Sequence, residues 1–398
     1  MRKSLAALLA AATVALFSAM GAQAQPLSAL PGQPEGVPWP TQAWPVAPMP
    51  PSANAQRVAQ LMAQAESGRA PFLENTRAVL VVQGGRLVYE RYATGFGADT
   101  RFISWSVAKS VTHALVGAAA ARGLLNPDAG MGNPRWAADD PRSAITWRQW
   151  LQMTDGLAYT ETGAVRTTAN GAAVMLFGED RADAMAYATQ LPVLHSPGAR
   201  WNYSTAGTTL VADALTERVA PGASPSERRS AMRRFMREAL FSPIGMASVQ
   251  PEFDARGTFL GGSFVWATAR DYARFGLLYL RGGVWEGRRI LPAGWVDFAR
   301  TPVPGSGADT YGAGFSLTPE TGTGTPWRAL IAGRNPADAF SAQGRDGQVI
   351  LIVPSQDLVI VRLGLLSGGT EGWDALGDWL AALAQSFPAP APVPASPL

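Results

Sequence analysis

A chain of 398 residues with 47 % hydrophobic and 16 % charged residues has the make-up of a globular protein with a large core, which excludes a disordered or fibrous chain. The formal charge of +3 carries one basic run, Arg228, Arg229, Arg233, Arg234 and Arg237. Its helical spacing around Met232, Phe235, Met236 and Leu240 reads as a solvated helix face, so nucleic acid is not an expected partner. The absence of cysteine rules out disulfides, and two isolated histidines, His113 and His195, cannot supply the usual zinc ligand set; no metal and no cofactor is expected.

Taken in chain order, residues 1–24 read as a secretory signal: Arg2 and Lys3, an apolar stretch from Leu5 to Phe17, and Ala22-Gln23-Ala24 before a cleavage point at Gln25. The apolar stretch is too short for a membrane span and no later segment resembles one, so a periplasmic or secreted protein is expected, with no stable span after signal removal. Residues 25–53 form a proline-rich arm whose Trp39 and Trp44 are placed to pin it to the body. The body, 54–386, opens with Asn54 capping a helix that carries Val58, Leu61, Met62 and Ala65 at helical spacing. Val79 to Gln83 and Leu87 to Tyr92 flank Gly84-Gly85, a two-residue hairpin. The stretch from about 125 to 310 is expected to be a mostly helical lobe. Gln348 to Val353 and Leu358 to Leu363 make a second hairpin around Pro354 to Asp357, followed by a helix with Trp373, Leu376, Leu380 and Leu383 on one face. The termini together predict an α/β (α+β) fold, one antiparallel sheet flanked by terminal helices, and the Pro/Ala-rich residues 387–398 predict a disordered tail.

Three constellations carry chemistry. Lys109 is the only lysine beyond the signal segment, in a chain that otherwise uses arginine, and it stands three residues after Ser106 in Ser104-Trp105-Ser106-Val107-Ala108-Lys109-Ser110. A lysine in a dry site can lose its proton, whereas arginine cannot. On a helix from about Ser106 to Ala121 the two side chains share one face, and the helix amino end adds positive potential and free N–H groups at the serine. The second is Pro197-Gly198-Ala199-Arg200-Trp201-Asn202-Tyr203-Ser204-Thr205, where a tyrosine beside a neutral lysine can relay a proton; packing and loop capping explain such a tyrosine equally well. The third is Ser341-Ala342-Gln343-Gly344-Arg345-Asp346-Gly347-Gln348, whose glycines let a strand edge approach a ligand and offer an N–H to an oxyanion.

As a set these motifs resemble the serine β-lactamase and penicillin-binding superfamily, and within it the class C-like branch of 6-aminohexanoate-dimer hydrolases and family VIII-like esterases. Ile145 to Leu157, Leu240 to Met246 and Ala269 to Gly276 extend the resemblance, which covers residues 54–386. It implies the β-lactamase/transpeptidase-like fold, Ser106 as nucleophile, Lys109 as its base, Tyr203 as proton relay, and the N–H groups of Ser106 and Arg345 as oxyanion hole. The chain departs from the pattern twice. Thr205 stands where the Y-x-N asparagine would be, and Ala342-Gln343-Gly344 replaces K-T-G, which removes the cation that helps hold a β-lactam carboxylate and disfavours penicillin hydrolysis. Substrate contacts are expected from Asp155, Tyr159, Trp201, Thr205, Gly261, Gly262, Ser263, Gln343 and Gly344.

The expected function is an exported serine hydrolase that cleaves a small linear amide or ester through an acyl-enzyme, in the manner of 6-aminohexanoate-oligomer hydrolases. Two alternatives stand beside it: a short-chain carboxylesterase with weak β-lactamase activity, and a non-catalytic binder of cell-wall peptides. A Ser-His-Asp hydrolase is disfavoured, because no G-x-S-x-G is present and His113 falls seven residues beyond Ser106 on the same helix. His195, just before the Pro197-Gly198 loop, is expected to make a loop hydrogen bond or a substrate contact.

Overall fold

The computed structural model describes residues 27–66, 68–137, 139–161, 171–306, 310–317 and 336–390. The signal segment 1–24 and the end of the expected tail, 391–398, lie outside the described residues. Among the described residues no helix is long and apolar enough to cross a membrane.

Both termini build one sheet. Asn54 Oδ1 accepts the N–H of Arg57 at 2.9 Å and starts the helix Ala55–Glu66, which buries Val58, Leu61, Met62 and Ala65. The hairpin follows as Thr76–Gln83 and Arg86–Tyr92, with Gly84 at φ 58° and Gly85 at φ 71°, the two left-handed residues that a type I′ turn requires. The six-stranded sheet runs Arg86–Tyr92, Thr76–Gln83, Leu358–Gly364, Gln348–Val353, Phe340–Gly344, Ser316–Leu317 from edge to edge, every pair antiparallel. Val81 lies opposite Ile360, so the two hairpins meet at the sheet centre. The period of two sends Val79, Val81, Leu351 and Ile360 towards the terminal helices Ala55–Glu66 and Gly369–Gln385. It sends Leu80, Val82, Ile350 and Val361 into the larger core on the other face.

The helix Ala269–Leu280 covers that second face, and Gly276 sets how closely: a Cβ there would fall 2.6 Å from Val359 and 2.8 Å from Ile350. This element belongs to the range expected for the helical lobe but packs on the sheet instead, because its buried stripe matches the aliphatic strands. Within the lobe, Val107–Ala121, Thr205–Val219 and Pro225–Met236 pack on one another beside a small sheet of Arg101–Ile103, Val265–Thr268 and Gln250–Pro251. The basic run is only partly solvated. Arg228 is drawn inward to the buried Asp213 at 2.5 Å and to Glu217 at 2.6 Å.

The arm is folded against the body. Trp44 is buried with its Nε1 donating to the Arg270 carbonyl, and Trp39 lies 4.9 Å from Trp285. Val46 pairs in parallel with Leu87, so the arm covers the Arg86–Tyr92 edge of the sheet. At the other end the ordered chain runs past the expected boundary. Phe387 is fully buried, and its carbonyl and that of Pro388 accept from Gln83 Nε2, since a large aromatic against the sheet outweighs the local proline content.

Candidate active site

Ser106 is the N-cap of Val107–Ala121, and the residue before it, Trp105, is held at φ 44°. A bulky residue in the left-handed region costs on the order of 1 kcal/mol, strain that turns the serine out at the head of the helix. Lys109, 2 % exposed, points its Nζ at Ser106 Oγ (3.1 Å), Thr205 Oγ1 (2.8 Å) and the Gly262 carbonyl (2.7 Å). Burial pushes the amine down, against the upward pull of the Glu161 carboxylate, to about 8. The ammonium also lies 4.7 Å from the centre of the Tyr203 ring. Tyr203 stands just ahead of Thr205–Val219, a helix capped by Ser204, whose Oγ accepts from the Gly207 N–H at 2.8 Å. Serine, lysine and tyrosine thus come together from two helix amino ends.

A strand edge closes the third side. Gly344 ends Phe340–Gly344 so near the serine turn that a Cβ on it would fall 2.2 Å from the Ser104 carbonyl and 3.1 Å from the Ser106 nitrogen. The backbone at Arg345 therefore leaves the strand beside the Ser106 N–H, the arrangement an oxyanion site needs. The Arg345 side chain is 75 % exposed, with its guanidinium 5.9 Å from the Trp105 ring. Behind this turn, Asp346 is left-handed at φ 60°, and the fully buried Arg362 donates to the carbonyls of Asp346, Gly347 and Leu365. Burial lowers the Arg362 guanidinium to about 9.

Several expected contacts lie elsewhere. Asp155 is 2 % exposed, with Oδ1 accepting from the Leu157 N–H and Oδ2 packed against Gly207, and burial raises it to about 6; it is an interior group and not a pocket wall. Thr205, 1 % exposed, serves Lys109 and not a ligand. Gly261, Gly262 and Ser263 are buried behind the lysine, their carbonyls accepting from Thr112, Lys109 and Ser104. Tyr159 is buried edge-on to Tyr187, its hydroxyl pushed well up by burial and by Glu161. Trp201 is half-buried, 6.3 Å from Tyr203 and 5.5 Å from Tyr311. The half-buried Gln343 donates to Ser341 Oγ at 2.9 Å. His195 meets Arg200 at 3.1 Å, the loop hydrogen bond of the two expectations, and His113 is buried against Tyr279 at 2.7 Å.

Sequence reasoning missed Glu161, whose carboxylate takes both the N–H and the hydroxyl of Thr205. It also missed an aromatic rim: Trp105 lies 5.7 Å from Phe264 and 6.4 Å from Phe177, and Phe177 is 59 % exposed. Neither carries a local motif. The lone signal was a large apolar residue, Phe177, directly before Gly178-Glu179-Asp180.

The sheet flanked by terminal helices, with a helical lobe beside it, is the β-lactamase/transpeptidase-like fold of serine hydrolases. The chain belongs to the beta-lactamase family, whose family model matches residues 55–385, and within it to the class C-like side. It is 30 % identical over 336 residues to the 6-aminohexanoate-dimer hydrolase of Paenarthrobacter ureafaciens, covering 79 % of each chain. Among solved structures, a Bacillus anthracis protein provisionally assigned as a 6-aminohexanoate-dimer hydrolase superposes with TM-score 0.64 at 20 % identity, covering 89 % of this chain and 90 % of that one. A family VIII carboxylesterase superposes with TM-score 0.58 at 15 % identity, covering 84 % and 99 %.

Proposed function

We propose that the protein is an exported, periplasmic or secreted serine hydrolase that cleaves a small linear amide or ester through an acyl-enzyme on Ser106, in the manner of a 6-aminohexanoate-oligomer hydrolase. The observation that carries this is the buried Lys109 amine 3.1 Å from the Ser106 hydroxyl, with its proton affinity lowered to about 8 by burial. In the first step Ser106 Oγ bonds to the substrate carbonyl carbon as its proton passes to Lys109 Nζ. The negative charge on the carbonyl oxygen falls between the Ser106 and Arg345 N–H groups. Collapse breaks the bond to the leaving amine or alcohol, which takes up the proton through Tyr203. Water then attacks the acyl carbon, gives its proton through the same pair, and Ser106 is regenerated.

Resemblance to the P. ureafaciens hydrolase favours the amide. A second reading, a short-chain carboxylesterase, draws on the aromatic rim of Trp105 and the exposed Phe177 over the buried Phe264, an apolar surface with the Arg345 guanidinium at its margin. With Thr205 turned inward and no lysine in Ala342-Gln343-Gly344, β-lactam hydrolysis is expected to be weak. A non-catalytic peptide binder has no need for the complete Ser106, Lys109 and Tyr203 set. The test compares kcat/KM for the linear 6-aminohexanoate dimer and for a matched nitrophenyl ester, together with labelling of Ser106 by an active-site phosphonate. Greater efficiency on the ester removes the amide assignment, and absence of both turnover and adduct removes the hydrolase.

A further inference from the structure

Thr205 sits between Lys109 and Glu161, and a hydroxyl has one hydrogen to give. Glu161 Oε1 lies 2.6 Å from Thr205 Oγ1, and its Oε2 lies 2.8 Å from the Thr205 nitrogen. A carboxylate only accepts, so the Thr205 hydrogen goes to Glu161 and the Thr205 oxygen is left to accept from Lys109 at 2.8 Å. The Gly262 carbonyl, 2.7 Å from the same amine, also only accepts. A neutral amine has two hydrogens and one lone pair. Both hydrogens are committed to these two acceptors, and the third neighbour, Ser106 Oγ at 3.1 Å, faces the lone pair.

We propose that Glu161 and Thr205 are positioning residues that aim the Lys109 lone pair at the Ser106 hydroxyl, by fixing the direction of the hydrogen bond between Thr205 and the amine. The inference rests on the serine-hydrolase reading above and adds to it the device that readies the base. Without the carboxylate, Thr205 is free to donate, and its hydrogen then occupies the lone pair that the mechanism uses. Glu161 has a second effect through its charge. It favours the protonated amine and so opposes the downward pull of burial. Among the described residues, the titratable groups about the amine are Glu161, with the Tyr159 hydroxyl interacting with that carboxylate, and Tyr203 from the segment before Thr205–Val219.

The test is the pH profile of kcat/KM for a short-chain nitrophenyl ester, from wild type, Glu161→Gln, Thr205→Val and Thr205→Ser, at equal folded concentration verified by thermal melting. In Glu161→Gln the Thr205 N–H requires the amide oxygen. The amide NH2 then faces Thr205 Oγ1 and turns the Thr205 hydrogen onto Lys109. The alkaline plateau is expected to fall by at least about tenfold and the ascending limb to move to lower pH, because the charge that favoured the ammonium is gone. Thr205→Val is expected to lose a similar factor, and Thr205→Ser to stay within about threefold of wild type, since it keeps the hydroxyl. A Glu161→Gln profile with the wild-type plateau and limb overturns the proposal. So does a lowered plateau with an unmoved limb, or an equal loss in Thr205→Ser and Thr205→Val, either of which marks packing alone. A wild type that neither turns over nor takes a phosphonate on Ser106 removes the hydrolase reading and this inference with it, whereas an active wild type with unaffected variants removes only the inference.

Discussion

In the proposed mechanism Lys109 is the base, and its neighbours define what a substitution must do. Arginine keeps the charge but cannot release a proton at accessible pH, so Lys109→Arg is expected to lower kcat/KM by at least about a hundredfold at equal folded concentration. In the wild type, kcat/KM should rise with pH through about 8, where burial and the opposing Glu161 charge together leave the amine, because only the neutral form accepts the serine proton. His113 offers a separate, structural titration. Burial, aided by Arg148, holds it at about 3 against an ordinary 6.5, so between those values the unfolded chain binds a proton that the folded one refuses. Its contribution to stability is present above 6.5 and is lost as pH falls towards 3. His113→Gln, which keeps an acceptor for the Tyr279 hydroxyl, should flatten the fall of Tm between about pH 6 and pH 4.

At the scale of elements, the site depends on two helix amino ends and one strand edge meeting. Gly344 is where the strand touches the serine turn, and no side chain fits between it and the Ser104 carbonyl. Gly344→Ala must push the strand exit away from Ser106 and with it the Arg345 N–H. A loss of roughly a hundredfold in kcat is expected, the scale of removing one oxyanion donor, with a smaller change in KM. Steady-state kinetics on the nitrophenyl ester separates the two parameters. Wild-type kcat in this variant would mean that the Arg345 N–H plays no part. Gly276 has the same kind of role further from the chemistry, letting Ala269–Leu280 lie flat on Val359 and Ile350.

At the scale of the whole molecule, the chain builds its sheet from both ends and covers the Arg86–Tyr92 edge with its own arm. Ala47 donates to the Leu87 carbonyl and Leu87 to that of Pro45, while Trp44 is buried beneath. Arg274, paired with Asp271, also donates to the Pro40 carbonyl, and Arg300, paired with Asp297, to that of Ser28, so the arm backbone completes the hydrogen bonding of two buried guanidiniums on the body. Removing residues 27–52 should therefore lower Tm by roughly 5 °C or more and promote self-association through the bared edge Arg86–Tyr92. Differential scanning calorimetry with light scattering measures both. An unchanged melt would show that the arm is a passive covering.

The sequence by itself determined whatever short-range spacing encodes: the two-glycine hairpin, the apolar stripes of the terminal helices, and Ser106 with Lys109 one helical turn apart. Backbone geometry makes such neighbours meet whatever the rest of the chain does. The resemblance supplied Tyr203 and the strand entry at Gly344. Only the tertiary structure decided which groups finish the site. Thr205 reaches Lys109 across 96 residues of chain and Gly262 across 153, and Glu161 reaches Thr205 across 44. The same packing turned Asp155 and the Gly261-Gly262-Ser263 segment inward, where a pattern of residue types had suggested a pocket wall. The direction of a hydrogen bond is fixed by what stands on its far side, and in a folded chain that partner comes from distant sequence.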